Sequence, residues 1–183
     1  MFYEAGKQNT MRTLELAFNA AKQQEISHLV IASTVGDTAR AALKMVDHSN
    51  MKLVVITHAA NFRAGTAQEF NADLREEIEN AGHYVHSGVH VLCGLGRAIK
   101  SKMGWSEEEL VASTLRILGQ GMKVCIEIAA IATDAGMVPH PGKVISVAGT
   151  GYGADTACVI STAPSSRFFD LKVHDVITKP YVF

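Results

Sequence analysis

The sequence predicts one α/β domain with three layers, in which helices cover both faces of a mainly parallel sheet that has an antiparallel edge. Short apolar runs of strand length alternate with segments of helical periodicity. Helices between strands act as crossover connections, and these give parallel neighbouring strands. The last apolar runs follow one another without a helix, which predicts the antiparallel edge. No linker or low-complexity tract divides residues 1–183, so we expect a single domain.

The first half of the chain contains the clearest strand and helix patterns. Strands are predicted at 28–33 and 52–57, and the loop at 34–38 leads into a helix that ends near His48. Thr66 and Glu69 have the spacing of a capping box, which predicts a helix start there and a stop at Gly82. The initial helix is predicted by N-cap residue types and by apolar residues at helical spacing: Asn9, Thr10, Met11, Leu14, Phe18 and Ala21.

The second half begins with a short strand around Tyr84 and continues through three helices. Val91, Leu95 and Ile99 predict the apolar face of the first helix, and a capping box at Ser106 opens the second. The segment 122–135 has the Val and Ile content of a strand, but its length and its alanines favour a buried helix. The remaining predicted elements are strands at 144–148, 157–162 and 168–177, with a glycine-rich turn at 149–156.

Composition excludes several classes of protein. The 183 residues are 48% hydrophobic and 19% charged, which is typical of a folded chain, and a net charge of -1 gives no reason to expect nucleic acid as a partner. No apolar run is long enough to span a bilayer, and the polar segment 4–13 does not resemble a signal peptide. We therefore expect a cytoplasmic protein without a membrane partner.

Signals of metal or nucleophilic chemistry are weak. Cys93, Cys125 and Cys158 are widely spaced among apolar neighbours, so we expect buried free thiols. Three histidines at 83, 86 and 90 lack an accompanying cluster of acids or cysteines, so no metal site is expected. No Gly-x-Ser-x-Gly nucleophile elbow is present.

The most informative loop is Ser33-Thr-Val-Gly-Asp-Thr38, which follows a buried strand and opens a helix. The first N–H groups of a helix lack partners and attract anions. Ser33, Thr34 and Thr38 add hydroxyl donors, and Gly36 lets the backbone approach a phosphate closely. The alternative is that Asp37 or Thr38 caps the helix while Gly36 forms the turn.

Two further features lie where a ligand could bind. The glycine-rich segment Gly149–Thr156 follows another apolar strand, so it shares the carboxyl edge of the sheet with the Ser33 loop, although a simple turn would also explain it. Glu127 interrupts an apolar helix, and a buried carboxyl group needs a partner. It either contacts a ligand or pairs with Lys123 one helical turn earlier.

The order of these elements resembles the C-terminal α/β domain of pyruvate kinase. The resemblance is carried by 29–39, 53–57, the helix at Val124 and the Val144 strand with its glycine-rich loop. In that family the effector loop has a basic residue at the position of Asp37. The chain is too short to contain the catalytic barrel, so pyruvate kinase activity is excluded.

The chain resembles still more closely a family of small stand-alone archaeal and bacterial proteins with this fold, most of them uncharacterised. The resemblance covers nearly the whole chain and is carried by Gly6 with 9–10, 32–38, His90 with Gly94, 121–127, Gly149 with 153–156, and 168–170. Members can bind FMN, so the resemblance implies an FMN cofactor with its phosphate on the Ser33 loop. The expected cofactor-binding residues are Asn9, Thr10, Ser33, Thr34, Gly36, Asp37, Thr38, Thr57, Glu127, Gly149, Thr150, Gly151, Ala154, Asp155 and Thr156.

Three hypotheses for function follow. The first is an FMN-binding flavoprotein whose reaction the sequence does not assign. The second is a non-catalytic sensor or regulatory domain that binds another phosphorylated metabolite. The third is an oligomerisation domain, which would need no convergent polar loops. Assembly into a homo-oligomer is compatible with each of them.

Overall fold

The computed structural model describes residues 1–46 and 49–183, so the predicted helix end near His48 lies outside the described residues. Within them the strands are β1 (Phe2–Glu4), β2 (His28–Ala32), β3 (Lys52–Thr57), β4 (Tyr84–Ser87), β5 (Lys143–Ala148), β6 (Thr156–Ser161), β7 (Lys172–Thr178) and β8 (Pro180–Val182). The helices are α1 (Thr10–Gln23), α2 (Asp37–Val46), α3 (Ala72–Asn80), α4 (Gly94–Met103), α5 (Glu107–Arg116) and α6 (Gln120–Asp134). Short 3₁₀ helices span Lys7–Asn9 and Ser165–Asp170.

The main sheet has the strand order β4-β3-β2-β5-β6-β7. The first four strands are parallel, and β6 and β7 complete the sheet in antiparallel orientation. This arrangement confirms the predicted mainly parallel sheet with an antiparallel edge. β1 and β8 form a separate two-stranded parallel pair, which no sequence pattern indicated.

Alternating side chains of the buried strands divide the core into two parts. Ile31, Leu53 and Ile145 face one cluster, in which residues of α1, α2 and α3 are buried. Val30 and Val54 face the opposite cluster, which α6 dominates. The sheet is therefore covered on both faces, as predicted, and the helices of both layers begin at the carboxyl edge of its parallel strands.

Two predicted boundaries were wrong. The helix predicted from Thr66 begins at Ala72, where the Asn71 side chain accepts the Leu74 N–H at 2.8 Å. Gln68 holds the preceding segment in a turn by accepting the N–H groups of Glu69 and Phe70, so the capping-box spacing does not act there. The last strand begins at Lys172 rather than at 168, because 165–170 forms a 3₁₀ helix.

The capping box at Ser106 marks a true helix start. The Ser106 hydroxyl accepts the Glu109 N–H at 3.2 Å, and α5 begins at the next residue. The predicted helix at 122–135 is also confirmed as α6, which is buried along most of its length. The helix predicted from Val91, Leu95 and Ile99 is α4, which begins at Gly94, so Val91 precedes it, and Leu95 and Ile99 are exposed.

Candidate functional site

A cavity of about 1020 Å³ opens at the carboxyl edge of the parallel strands. The ends of β2 and β3, the loops after β3, β4 and β5, and the first turns of α1, α2, α5 and α6 contribute to its lining. This is the position at which open α/β sheets bind small molecules. The first turns of α1 and α6 line the cavity, so the positive ends of both helix dipoles face it, and neither first turn contains an acidic residue that would offset this charge.

The start of α2 offers hydrogen-bond donors that the protein does not use. The Ser33 hydroxyl accepts the Ala39 N–H at 3.3 Å, and the Gly36 carbonyl accepts the Arg40 N–H at 2.8 Å. Within the described residues, the hydroxyls of Thr34 and Thr38 have no protein partner, although both residues line the cavity. Ser33 therefore caps the helix, and the two threonines remain available to a ligand.

Gly36 and Asp37 differ from the roles that a phosphate loop would give them. Gly36 has φ +119°, and a Cβ there would lie 2.7 Å from Leu74 Cδ2 in the core. The positive φ and the Leu74 side chain beneath the loop therefore both favour glycine at this position. Asp37 is exposed at the cavity rim and makes no capping hydrogen bond within the described chain, so the predicted cap by Asp37 is replaced by the Ser33 hydroxyl.

Asp155 fixes the glycine-rich loop to the N-terminal segment. This fully buried carboxylate accepts the N–H groups of Gly6 at 3.0 Å and Thr150 at 3.1 Å, and the Thr156 hydroxyl at 2.8 Å. The Thr10 hydroxyl accepts the Ala154 N–H at 3.0 Å on the same boundary. These contacts hold the loop in shape, and of the residues that make them Thr10 lines the cavity.

Glu127 is 1% exposed and lies at the base of the cavity. Its carboxylate accepts the Leu92 N–H at 3.0 Å and pairs with Lys123, whose side chain is also buried. The Nδ1 atom of His90 lies 3.8 Å from the same carboxylate. The structure thus confirms the pairing of Glu127 with Lys123, and it places that pair in contact with the cavity.

Burial lowers the pKa of His90 below its ordinary value, although Glu127 and the Thr57 carbonyl oppose this shift. The neutral ring has Nε2 at 3.1 Å from the Thr57 carbonyl oxygen, to which it donates. This leaves Nδ1 as an acceptor. His90 therefore presents an uncharged imidazole between the buried ion pair and the open part of the cavity.

The loop after β3 supplies an aromatic wall that was not expected from the sequence. Phe62 stacks on His58 with ring centroids 4.1 Å apart and an interplanar angle of 29°. The Arg97 guanidinium lies 5.0 Å from the Phe62 ring centroid, and the His90 ring lies 5.8 Å from it. His58 is held by Glu69 at 2.7 Å. The signal that could have found this wall is its position, because it directly follows Thr57 at a strand end.

The charges around the cavity are mostly paired. Glu69 binds Arg63 as well as His58, and Glu109 binds Lys100 and Arg116 at 3.2 Å each. Desolvation raises the pKa of Glu109, but the two cations outweigh it and hold the pKa below its ordinary value. Of the lining cations in the described chain, Lys7 and Arg97 have no acidic partner.

The expected site residues divide into two groups. Those that line the cavity are Thr10, Ser33, Thr34, Asp37, Thr38, Thr57, Glu127, Gly149 and Gly151. Those that lie behind its walls are Asn9, Gly36, Thr150, Ala154, Asp155 and Thr156. The Thr57 hydroxyl is already engaged by the His58 carbonyl and by Ser87. Thr34, just before α2, and Thr38, in its first turn, therefore remain the expected residues whose hydroxyls are available to a ligand, while the Ser33 hydroxyl already accepts the Ala39 N–H.

The cysteines are all free, but they are not all buried. Cys125 and Cys158 are buried, and burial raises the pKa of Cys125 well above its ordinary value, so its thiol stays protonated. Cys93 is half-buried and lines the cavity, which corrects the expectation for that residue.

No group of His, Cys, Asp or Glu among residues 1–46 and 49–183 has the arrangement of a metal site. None of the helices in the same part of the chain combines the length and apolar character that a bilayer crossing requires.

Comparison with known families identifies the fold. Residues 11–160 match the family described as pyruvate kinase, alpha/beta domain. The chain belongs to this family. The match includes strands β2 to β6 except the last residue of β6, the helices from α1 to α6 except the first residue of α1, and most of the cavity lining.

Solved structures with the pyruvate kinase alpha/beta domain fold are distant in sequence. A pyruvate kinase from Cryptosporidium parvum is 12% identical, with a TM-score of 0.44, over 84% of this chain and 22% of that protein. The same organism's pyruvate kinase in complex with ADP is 12% identical, with a TM-score of 0.40, over 89% and 23%. The chain thus spans less than a quarter of the length of these enzymes. Its family and its cavity identify it as a small-molecule-binding α/β domain.

Proposed function

We propose that the chain binds a phosphorylated small molecule with a planar ring, and that FMN is this ligand. One observation carries the proposal: a single cavity joins the unused donors at the start of α2 to the aromatic wall around Phe62. A ligand with a phosphate at one end and a planar ring at the other would hydrogen-bond to the α2 donors and pack against the aromatic wall. The volume of about 1020 Å³ is at the upper end of the range for small-molecule sites.

The phosphate end is supported by electrostatics. The helices α1, α2 and α6 direct their N-termini to this side, and each contributes about half an elementary positive charge. Thr34 and Thr38 hydroxyls can donate to phosphate oxygens, as can the first backbone N–H groups of α2. Lys7 lies on the same cavity wall as Thr10 and has no acidic partner in the described chain. Asp37 is exposed and can turn towards solvent.

The ring end is supported by the shape and chemistry of its side chains. Phe62 is stacked on His58, and the Arg97 guanidinium lies over the Phe62 ring, so the three planar groups pack as one unit. The outer face of this unit can pack against the ring of a ligand. His90, as a neutral imidazole, can accept a hydrogen bond at Nδ1. A flavin ring offers both an aromatic face and N–H donors, so these residues fit FMN. When bound, FMN would supply redox chemistry, and this chain would hold and orient it.

A second candidate is a non-catalytic sensor of a different phosphorylated metabolite. Lys7 and Arg97 favour it, because two lining cations without acidic partners in the described chain suit a ligand with more than one anionic group. Such a ligand would use the same α2 donors. The two candidate ligands differ in the chemical group that packs against the aromatic wall.

Titration of the purified chain with FMN and riboflavin, followed by flavin fluorescence, tests the proposal. We expect FMN to bind at least roughly tenfold more tightly than riboflavin, because charge-assisted hydrogen bonds to the phosphate are lost in riboflavin. Thr38→Val should reduce this preference. Thr150→Val is the matched control, since Thr150 lies outside the cavity lining and its hydroxyl has no partner among the described residues.

Each outcome separates the candidates. Equal affinity for FMN and riboflavin would contradict the phosphate position. Absence of flavin binding, together with thermal stabilisation by a sugar phosphate or nucleotide, would favour the sensor. If neither flavins nor phosphorylated metabolites bind, both functions are wrong.

A further inference from the structure

The α4 and α5 helices expose an unusually apolar surface. Leu95, Ile99 and Met103 follow one another at four-residue intervals along α4, and all three are exposed. Leu95 and Ile117 each retain 74% of their accessible surface. The remaining large apolar residues that are exposed in this segment are Val89, Trp105, Leu110 and Leu118. We call this set of residues the α4–α5 surface.

Eight large apolar residues exposed within one segment of 30 residues, 89–118, are unusual on a protein that acts alone. Isolated exposed apolar residues are ordinary, but larger patches mark interaction sites. The helical spacing predicts burial of Leu95 and Ile99, and within one copy of the described chain these residues find no cover. A partner would supply the burial that their sequence pattern predicts.

The charges beside this surface are separated by helix. α4 carries Arg97, Lys100 and Lys102 and no acidic residue. α5 begins with three glutamates at 107–109. Lys100 and Glu109 pair within the chain, so Lys102 and Glu107 remain without an ion-pair partner among the described residues. One helix is therefore basic and its neighbour is acidic at their shared end.

We propose that the α4–α5 surface binds the same surface of a second copy of this chain in a two-fold symmetric dimer. A two-fold axis places α4 of one copy against α5 of the other, and it repeats that contact with the helices exchanged. The basic helix then meets an acidic helix on both sides of the axis. The surface is thus complementary to itself in charge, and its apolar stripe becomes buried.

Charge also decides between a second copy and a membrane. A basic helix with an apolar stripe and Trp105 could lie on an anionic bilayer. The glutamates at the start of α5 would then face lipid head groups of the same sign. In the dimer these glutamates face the basic α4 of the partner copy, so the charges of both helices meet charges of the opposite sign.

Sedimentation equilibrium of the unmodified chain measures the dimer directly. We expect dimers in the micromolar range and at least roughly tenfold weaker association for Leu95→Glu or Ile117→Glu. Both side chains are exposed, so circular dichroism should show an intact fold. Phe169→Glu is the matched control, because Phe169 is similarly exposed but belongs to the 3₁₀ helix at 165–170, and it should leave association unchanged.

A charge exchange tests the symmetry itself. Lys102→Glu and Glu107→Lys should each weaken self-association, because each places like charges together at both contacts. An equimolar mixture of the two variants should form heterodimers at close to the unmodified affinity, since opposite charges then meet twice. Failure of the mixture to recover would contradict the proposed arrangement.

Two results would overturn the dimer altogether. One is a monomer at all concentrations up to the millimolar range. The other is a monomer that sediments with phosphatidylserine vesicles and loses this binding in Leu95→Glu, which would assign the surface to a membrane.

Discussion

The two ends of the cavity are built in different ways. At the α2 end, polar groups come from the backbone and from short side chains that are anchored in the core: Gly36 lies against Leu74, and Ser33 caps the helix. At the aromatic end, Phe62 and Arg97 are long side chains on a loop and on a helix with little cover of its own. The α2 end is therefore formed by groups that the core holds in place, whereas the aromatic end is formed by long side chains outside the core.

This difference predicts how the two ends respond to mutation. Changes at the α2 end, and at the buried pair behind it, should lower the stability of the protein together with ligand binding. Changes at the aromatic end should affect the ligand and leave stability nearly intact. Four substitutions test this contrast, from the largest expected effect to the smallest.

Removal of the Glu127 side chain should have the largest effect. Glu127→Ala leaves Lys123 as a buried charge without its partner and removes the acceptor of the Leu92 N–H, so we expect a loss of about 3 to 5 kcal/mol in the free energy of unfolding. Glu127→Gln should lose less, since an amide oxygen can still accept from Leu92. Chemical denaturation measures both values.

An exposed pair with the same helical spacing provides the control. Glu79 pairs with Arg75 across one turn of α3, but its side chain is 47% exposed. Glu79→Ala should therefore cost at most about 0.5 kcal/mol. Similar losses at Glu79 and Glu127 would contradict the view that burial of the second pair makes it structural.

Gly36→Val should come next, with a loss of about 2 to 4 kcal/mol from the positive φ and from the clash with Leu74. From the sequence alone, this substitution is expected to impair binding far more than folding. The structure predicts a large cost for folding as well, because a Cβ at position 36 would point towards Leu74 in the core. Thermal and chemical denaturation of the ligand-free protein measure the effect.

Gly65 separates strain from packing. It also has a positive φ of +79°, but no atom lies within 4 Å of the position that a Cβ would take, so Gly65→Ala should cost only about 1 kcal/mol. If Gly36→Val were as mild as Gly65→Ala, contact with Leu74 would not be what requires a glycine at position 36.

The fold and the α2 end could be predicted because their signals are local. The apolar runs at 28–33 and 52–57 can only be buried strands in this setting, and the residues that follow them must lie at the carboxyl edge. Glu127 was found for a similar reason, since a carboxylate within an apolar helix is conspicuous. The buried pair with Lys123 follows from i,i+4 spacing.

The aromatic end could not be predicted because its contacts join distant residues. Phe62 lies in an irregular loop, Arg97 lies on a later helix, and nothing in their local sequence indicates that they meet. The capping-box pattern at Thr66 was misleading, because Gln68 accepts the Glu69 N–H that a Thr66 cap would take, and Asn71 caps the helix at Leu74 instead. Asp155 was expected to contact a ligand, but its buried contacts with Gly6 and Thr150 depend on the tertiary fold.

Phe62→Ala is the third test and concerns the ligand. Loss of the stacked ring should weaken FMN binding by about 1 kcal/mol, or roughly fivefold, while the free energy of unfolding changes little. Flavin fluorescence titration and denaturation of the same sample give both values. Phe169→Ala is a suitable control, because Phe169 is an exposed aromatic residue outside the cavity lining. A large loss of stability in Phe62→Ala would contradict the distinction between the two ends.

His90 should give the smallest effect, since it lies between the two ends and acts through its protonation. Burial lowers its pKa below the ordinary value of 6.5, so the unfolded chain binds a proton more readily than the folded chain. Above about pH 6.5 the ring is neutral in both states, so His90 does not reduce the free energy of unfolding. As the pH falls from there towards the lowered pKa, the unfolded chain takes up a proton and the free energy of unfolding decreases. His28 and His86 have lowered pKa values for the same first reason and add to this dependence.

The test is the free energy of unfolding measured at about pH 7.5 and about pH 5.5. The unmodified protein should be less stable at the lower pH, and His90→Gln should reduce this difference, because its side chain does not titrate and can still donate to the Thr57 carbonyl. If FMN occupies the cavity and the neutral His90 accepts from it, the flavin should also dissociate more readily at the lower pH. An increase in stability on acidification through this range would show that the attraction of Glu127 exceeds the effect of burial, and that His90 is charged beside the ligand.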